Sequence, residues 1–275
     1  MINSIKAEFK KLFTIRSTYL FVLLALVIVG IYGFYGEGFK DSASLLQTLQ
    51  QKHGAGSQFI GFAGSSFLAG TIEQMGHFIA LFGGIIALLL ITHEYRYNTI
   101  TYTLTASNSR LKSLVAKLTA SFGFVMMYSI LLTFYGLGMI FLGLHFSHNV
   151  LPHQQISYLT YAGKILYHSE GYALAALLFG TLIRNQVGAF AALLIIPSAV
   201  EGLLSLLLRH DSVYLPFTAL DQVIQVGSRT APTISEAPNG YLSPAKGALV
   251  FLVYIVTGWI VASYLFLRRD ATKLD

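Results

Sequence analysis

The sequence predicts an all-α membrane protein of six transmembrane helices, on three observations. Of 275 residues, 55% are hydrophobic and only 11% charged, whereas soluble domains run at about 45–50% and about 25%. The apolar residues gather in uniform runs close to the roughly 20 residues a helix needs to cross a bilayer core. Lysine and arginine divide unevenly between the connecting segments: twelve of the 18 lie on segments placed inside, and six (Lys40, Lys52, Lys164, Arg209, Arg229 and Lys246) outside. By the positive-inside rule this puts both termini in the cytoplasm.

Residues 2–16 place Ile2, Ile5, Phe9, Leu12 and Phe13 at three- and four-residue spacing, with Lys6, Lys10 and Lys11 elsewhere on the helical wheel. That pattern predicts an amphipathic helix in the inner interface, its lysines at anionic headgroups and its phenylalanines in the acyl boundary. The first span is 18–35, and its length and flanks do not match a cleavable signal. Residues 36–70 open with Asp41-Ser42 as a cap signal and Leu45, Leu46 and Leu49 on one face, which reads as a short outer helix followed by a loop.

The second span, 72–92, is thinned at its start by Glu73, Gln74 and His77. The third, 118–144, exceeds a perpendicular crossing and is expected to tilt or project. The fourth, 165–183, is entered past Tyr158, Tyr161 and Tyr167 as interfacial aromatics. Arg184-Asn185-Gln186 turns the chain into the fifth span, 187–208, where Pro197 removes a backbone donor and predicts a bend. The outer segment 210–246 holds Val213, Leu215, Phe217, Leu220, Val223 and Ile224, too apolar for a free loop, and reads as a re-entrant or surface-lying helix. The sixth span, 248–267, ends at Arg268-Arg269.

Several chemistries are excluded or disfavoured by motif. The chain has no cysteine, so neither disulfide nor thiolate metal site is available. Gly163-Lys164 is followed by isoleucine and lacks the upstream glycine of a P-loop, and His93-Glu94 lacks the second histidine of a zinc-protease helix. No nucleophile elbow occurs, and the basic residues flank apolar runs instead of forming a nucleic-acid face. His145, His148 and His153 cluster beyond the third span, but Pro152 breaks the helix and no carboxylate completes a metal site. Glu170, Glu201 and His168 lie inside spans, where lone ionisable groups face a partner or a wet cavity. They form either helix-holding pairs, with Lys164, His168 or Arg209 as partners, or part of a pathway.

The longest polar interruption with concentrated positive charge is His93 to Lys117, holding Arg96, Arg110, Lys112 and Lys117. Its alternation from Thr99 to Thr105 favours a strand by local pattern. The alternative is a short helix burying Ile100 and Leu104, with Ser107 or Ser109 capping the helix that follows. The order Glu94, Arg96, Asn98-Thr99-Ile100, Leu104, Ser109-Arg110 and Lys117 resembles the cytosolic loop of ATP-binding-cassette type-two permeases, integral membrane subunits of ABC exporters. The amphipathic amino terminus, the Arg16-Ser17 entry to the first span and the apolar outer segment resemble that family too. Asn98 stands where glycine is common there, and Ala106-Ser107-Asn108 replaces a proline-containing turn.

The resemblance implies a single permease domain over 1–275, with a cytosolic coupling helix between spans two and three. It implies an ATPase-docking loop of Glu94, Arg96, Ile100, Leu104 and Arg110, with Ile100 and Leu104 entering the ATPase. The implied partners are an ABC ATPase subunit and a second permease copy or paralogue, in membrane lipid and without nucleic acid. ATP and Mg would sit on the ATPase, and no cofactor on this chain. The expected place is a prokaryotic cell membrane and the expected activity is export, with no catalysis by this chain. The alternative from the residues is a self-sufficient ion-coupled transporter or channel using Glu170, Glu201 and His168, although the matched half-repeats common in such proteins are missing.

Overall fold

The computed structural model describes residues 2–37, 57–107, 109–146, 158–224 and 242–268. Every regular element among them is helical: α1 Ile2–Thr14, α2 Arg16–Glu37, α3 Ser57–Arg96, α4 Ile100–Ser107, α5 Arg110–Phe146, α6 Tyr158–Ile183, α7 Gln186–Ile195, α8 Glu201–Leu208, α9 Pro216–Ile224 and α10 Pro244–Arg268. Among the described residues five stretches are long and apolar enough to cross a membrane: Arg16–Tyr35, Gly70–Arg96, Arg110–Phe146, Gln186–Tyr214 and Pro244–Arg268. This is the composition of a multi-pass membrane protein. Helix α6 has comparable length but carries Lys164, His168 and Glu170.

Helix α3 is the axis of the bundle. The most apolar window of Gly70–Arg96 is 83% buried, against 11% for Gln186–Tyr214, so the first is surrounded by protein and the second is left for lipid or another chain. The most extensive helix pair is α3 with α6, flanked by α2, α5 and α7. Small residues allow that approach: a Cβ on Gly84 would lie 3.3 Å from the Tyr172 carbonyl oxygen, and close backbone contact replaces hydrophobic drive where lipid is the solvent. Ile79, Ile86, Leu88 and Leu90 of α3 meet Tyr128 and Leu132 of α5 and Ile165 and Ala176 of α6 in one apolar cluster.

The structure departs from the sequence expectation at several elements. Residues 57–70 are the opening turns of α3, not a loop; the apolar residues there are diluted by glycine and serine, which weakened the helical signal. The short outer helix expected around Leu45, Leu46 and Leu49 lies outside the described residues, as do His148 and His153. The third span starts at Arg110, so α5 runs 37 residues through the basic segment. Ser109 caps it: its carbonyl accepts from Ser113 N at 3.1 Å, and its hydroxyl lies 3.5 Å from Lys112 N. From Ile100 the stretch through Thr105 is helical, not extended, because Ile100 has a buried place at i and Leu104 a half-buried one at i+4.

The bend at Pro197 is present as a π-helical turn, Ile196–Val200, between α7 and α8. A ring that cannot donate leaves a mismatch in the hydrogen-bond ladder, and the wider turn absorbs it. The apolar outer segment forms a tight turn, Arg209–Tyr214, and then α9. Helix α9 packs on α10, where a Cβ on Gly247 would lie 2.5 Å from the Ala219 carbonyl oxygen, so only glycine permits the crossing.

Candidate functional site: a buried ion network beneath the short helix

Helix α3 ends in a turn that fixes everything after it. Asn98 has φ 53°, Asn98 N donates to Tyr95 O at 3.3 Å and Thr99 N to Glu94 O at 3.0 Å. This is the Schellman pattern, with its left-handed residue supplied by asparagine in place of glycine. The turn brings α4 back across the end of the bundle, with Ile100 packed among Ala87, Ile91, Tyr95, Val125, Ala173 and Leu177.

Beneath α4 lie four charges from three helices. Glu94 Oε1 accepts from Lys11 Nζ and Lys117 Nζ, each at 2.6 Å, and from Thr103 Oγ1 at 3.1 Å. Glu8 Oε1 accepts from Lys11 at 2.9 Å and Glu8 Oε2 from Lys117 at 3.0 Å. The two carboxylates and two ammoniums thus close a neutral ring. Lys117 is 1% exposed, Glu8 3% and Glu94 4%; Lys11 closes the ring at its half-buried edge. Burial by itself would lower the Lys11 pKa, but the hydrogen bonds and charges of Glu94 and then Glu8 outweigh it and hold the ammonium above its ordinary value of 10.5.

The network joins α1 to the ends of α3 and α5 and, through Thr103, to α4. Aromatic contacts reinforce the same seam, with Phe9 and Phe13 of α1 at 6.3 and 5.4 Å from the Phe124 ring. Leu12 is fully buried, whereas Ile2 and Phe13 remain exposed, so α1 packs on the bundle with one apolar edge outward. Charge patterning on the wheel did not reveal this, because it assigns all charges to the solvated face. The only sequence signal was Glu8 three residues before Lys11 within a basic helix.

The residues of the expected docking loop separate into two groups. Ile100 is 4% exposed and Leu104 half-buried against the same cluster, so the expectation that both enter a partner is corrected: they anchor α4 to its own bundle. Glu94 is likewise internal. Facing outward are Arg96, Tyr97, Asn98, Thr99, Thr101, Tyr102 and Thr105. Arg96 Nη1 donates to Gln186 Oε1 at 3.3 Å, and Arg110 Nη1 to Leu267 O at 3.2 Å. A groove of about 890 Å³ runs beside this face between the Arg96 turn and the Arg184 turn, lined also by Asn98, Val187 and Phe190.

Glu170, Glu201 and His168 do not converge on one site, and among the described residues the expected ion pairs of Glu170 and Glu201 are not found. Glu201 instead receives Phe217 N at 2.8 Å, Thr218 N at 2.7 Å and Thr218 Oγ1 at 2.8 Å, capping the start of α9 from another helix. Its structural role is thus to satisfy orphan helix donors. His168 Nε2 lies 2.9 Å from Asp221 Oδ1. Glu170 is 8% exposed, and neither of its carboxyl oxygens has a hydrogen-bond partner among the described residues. Comparison with protein-family models and with curated proteins finds no match for this chain.

Proposed function

We propose that this chain is the membrane-spanning permease subunit of an ATP-driven ABC exporter, with six spans, both termini in the cytoplasm of a prokaryotic cell, and a separate ATPase docked at α4. The observation that supports this most is the neutral ring Glu8–Lys11–Glu94–Lys117, which ties α4 to α1, α3 and α5. A short helix hung on flexible loops would yield when pushed. One fixed by buried charges and by Ile100 carries a push on its outer face straight into two spans. Coupling between distant sites needs such a contiguous, stiff connection.

On this reading the ATPase contacts Tyr102, 78% exposed, together with Thr101, Thr105 and the Arg96 turn. ATP and Mg stay on that partner. The α7–α8 arm, with Leu203, Leu206 and Leu207 outward, faces lipid or a second permease copy. The composition in aromatic residues suits a hydrophobic or amphipathic cargo. The test is to look for an ABC ATPase encoded beside this gene and to co-express it with the chain. The wild-type chain should retain the ATPase through purification, and Tyr102→Asp should lose it while still inserting. Equal retention by both would remove α4 as the docking element.

One observation favours a second reading. A buried carboxyl with two unpartnered oxygens, Glu170, is what a proton- or cation-coupled transporter requires. Ion-dependent flux through proteoliposomes containing this chain alone, abolished by Glu170→Gln, would establish it over the exporter.

A further inference from the structure

Near the middle of α3, away from the ion network, three metal-ligating side chains from three different helices converge. His77 of α3, His168 of α6 and Asp221 of α9 each offer one donor atom, and the three atoms lie within 4.8 Å of one another. Asp221 Oδ1 is 2.9 Å from His168 Nε2 and 3.7 Å from His77 Nδ1. The two imidazoles meet edge to face, centroids 4.9 Å apart and planes at 84°. Along α3, His77 stands roughly 28 Å from Arg96 at about 1.5 Å per residue, so the cluster is well separated from the ion network.

We propose that His77, His168 and Asp221 form a three-ligand site for a divalent transition metal of the zinc class, which clamps α9 onto α3 and α6. Bonds of about 2.0–2.2 Å to nitrogen and oxygen in a tetrahedral site put the donors roughly 3.3 Å from each other. The observed separations bracket that figure, so side-chain rotations alone seat an ion. Two imidazoles and one carboxylate suit zinc-class metals and disfavour Mg or Ca, which demand more oxygen.

Charge argues the same way. Among the described residues the Asp221 carboxylate meets histidines but no lysine or arginine, and the Glu201 carboxylate is near enough to repel it. A divalent ion supplies the missing positive charge. Access is provided too: His168 is wholly buried, whereas the side chains of His77 and Asp221 are 28% and 33% exposed. One coordination position therefore opens outward, for water or for a donor group on a passing ligand. Each imidazole would bind as the neutral tautomer, with its remaining proton on the ring nitrogen turned away from the ion. The inference is independent of the exporter reading, since it concerns a cluster well separated from α4 and needs no ATPase.

The test uses the full, untagged chain in detergent, stripped with chelator and titrated with Zn²⁺ against a chromogenic competitor. One ion per chain is expected. Affinity should fall by at least roughly tenfold in His77→Ala and in Asp221→Asn. Asp221→Asn keeps an acceptor for His168 and is the variant that preserves the fold. Co²⁺ in place of Zn²⁺ should give the visible bands of a four-coordinate ion, absent from both variants. Removing the other histidine cluster together, His145→Gln, His148→Gln and His153→Gln, should leave binding unchanged. If the stripped wild type takes up no stoichiometric ion, the three residues are a hydrogen-bonded staple and the proposal fails. It fails equally if binding survives Asp221→Asn but is lost in the triple glutamine variant.

Discussion

Replacing Lys117 with methionine removes one ammonium from the ring and little else, because the flexible apolar stem is kept. Its Nζ contacts Glu94 Oε1 at 2.6 Å and Glu8 Oε2 at 3.0 Å. Without it, two carboxylates that are 3% and 4% exposed share only Lys11, whose side chain is 35% exposed and partly screened. Removing one partner of a buried pair costs about 3–5 kcal/mol, because the remaining charge is desolvated and uncompensated. Lys117→Met should cost that much. Adding Glu94→Gln restores neutrality around Glu8 and Lys11, so the double variant should recover about 2–3 kcal/mol of the summed single losses. Lys11→Met leaves the same two carboxylates on Lys117 alone and should also destabilise, but by less than Lys117→Met, because water reaches the vacated edge of the ring.

The assay is SDS-driven unfolding in mixed micelles, followed by Trp259, the single tryptophan, which packs against both apolar clusters. The pH dependence has a definite sign. Because the folded Lys11 pKa is raised, the stabilisation it provides is complete below its unfolded value near 10.5 and is lost as pH rises through the higher folded value. The stability gap between wild type and Lys11→Met should therefore be constant from neutral pH to about 10 and close above it. Additivity of Lys117→Met and Glu94→Gln within about 0.5 kcal/mol would refute a coupled ring.

Three further outcomes are expected. Asn98→Gly should hold or raise stability, whereas Asn98→Val, forced to positive φ, should cost about 1–2 kcal/mol in the same unfolding assay. Glu201→Ala strips the cap of α9 and leaves the buried Phe217 amide without an acceptor, costing about 1–3 kcal/mol, while Glu170→Gln removes a buried acid that has no described partner and should be neutral or stabilising. Because the chain has no native cysteine, single cysteines report topology directly: Asp211→Cys should react with an impermeant thiol reagent on intact cells and Thr101→Cys should not, and the reverse would invert the orientation.

Much of the architecture was legible because membrane spans announce themselves by uniform apolarity. The Pro197 distortion, the α1 periodicity and the apolar segment around Phe217 were visible for equally local reasons. Missed features depend on long-range convergence. Lys11 read as a headgroup-facing charge and Lys117 as part of the basic segment until Glu8 and Glu94, the latter 83 residues from Lys11, are brought against them. His77 looked like an interruption in a span until α6 brought His168, and α9 Asp221, against it. Ile100 was the opposite case: the family resemblance put it in another protein, whereas the structure packs it in its own bundle, as the short-helix alternative has it. Sequence periodicity identifies which face is apolar and leaves open whose surface covers it.

The central claim is that an ATPase bears on the outer face of α4. Photoreactive residues placed singly at Tyr102 and Thr105, with Asp211 at the far end as control, test it most directly in membranes containing the chain and its co-expressed ABC ATPase. Crosslinks to the ATPase from Tyr102 and Thr105, and none from Asp211, are the predicted result. An ATPase that crosslinks to neither α4 position would contradict the account.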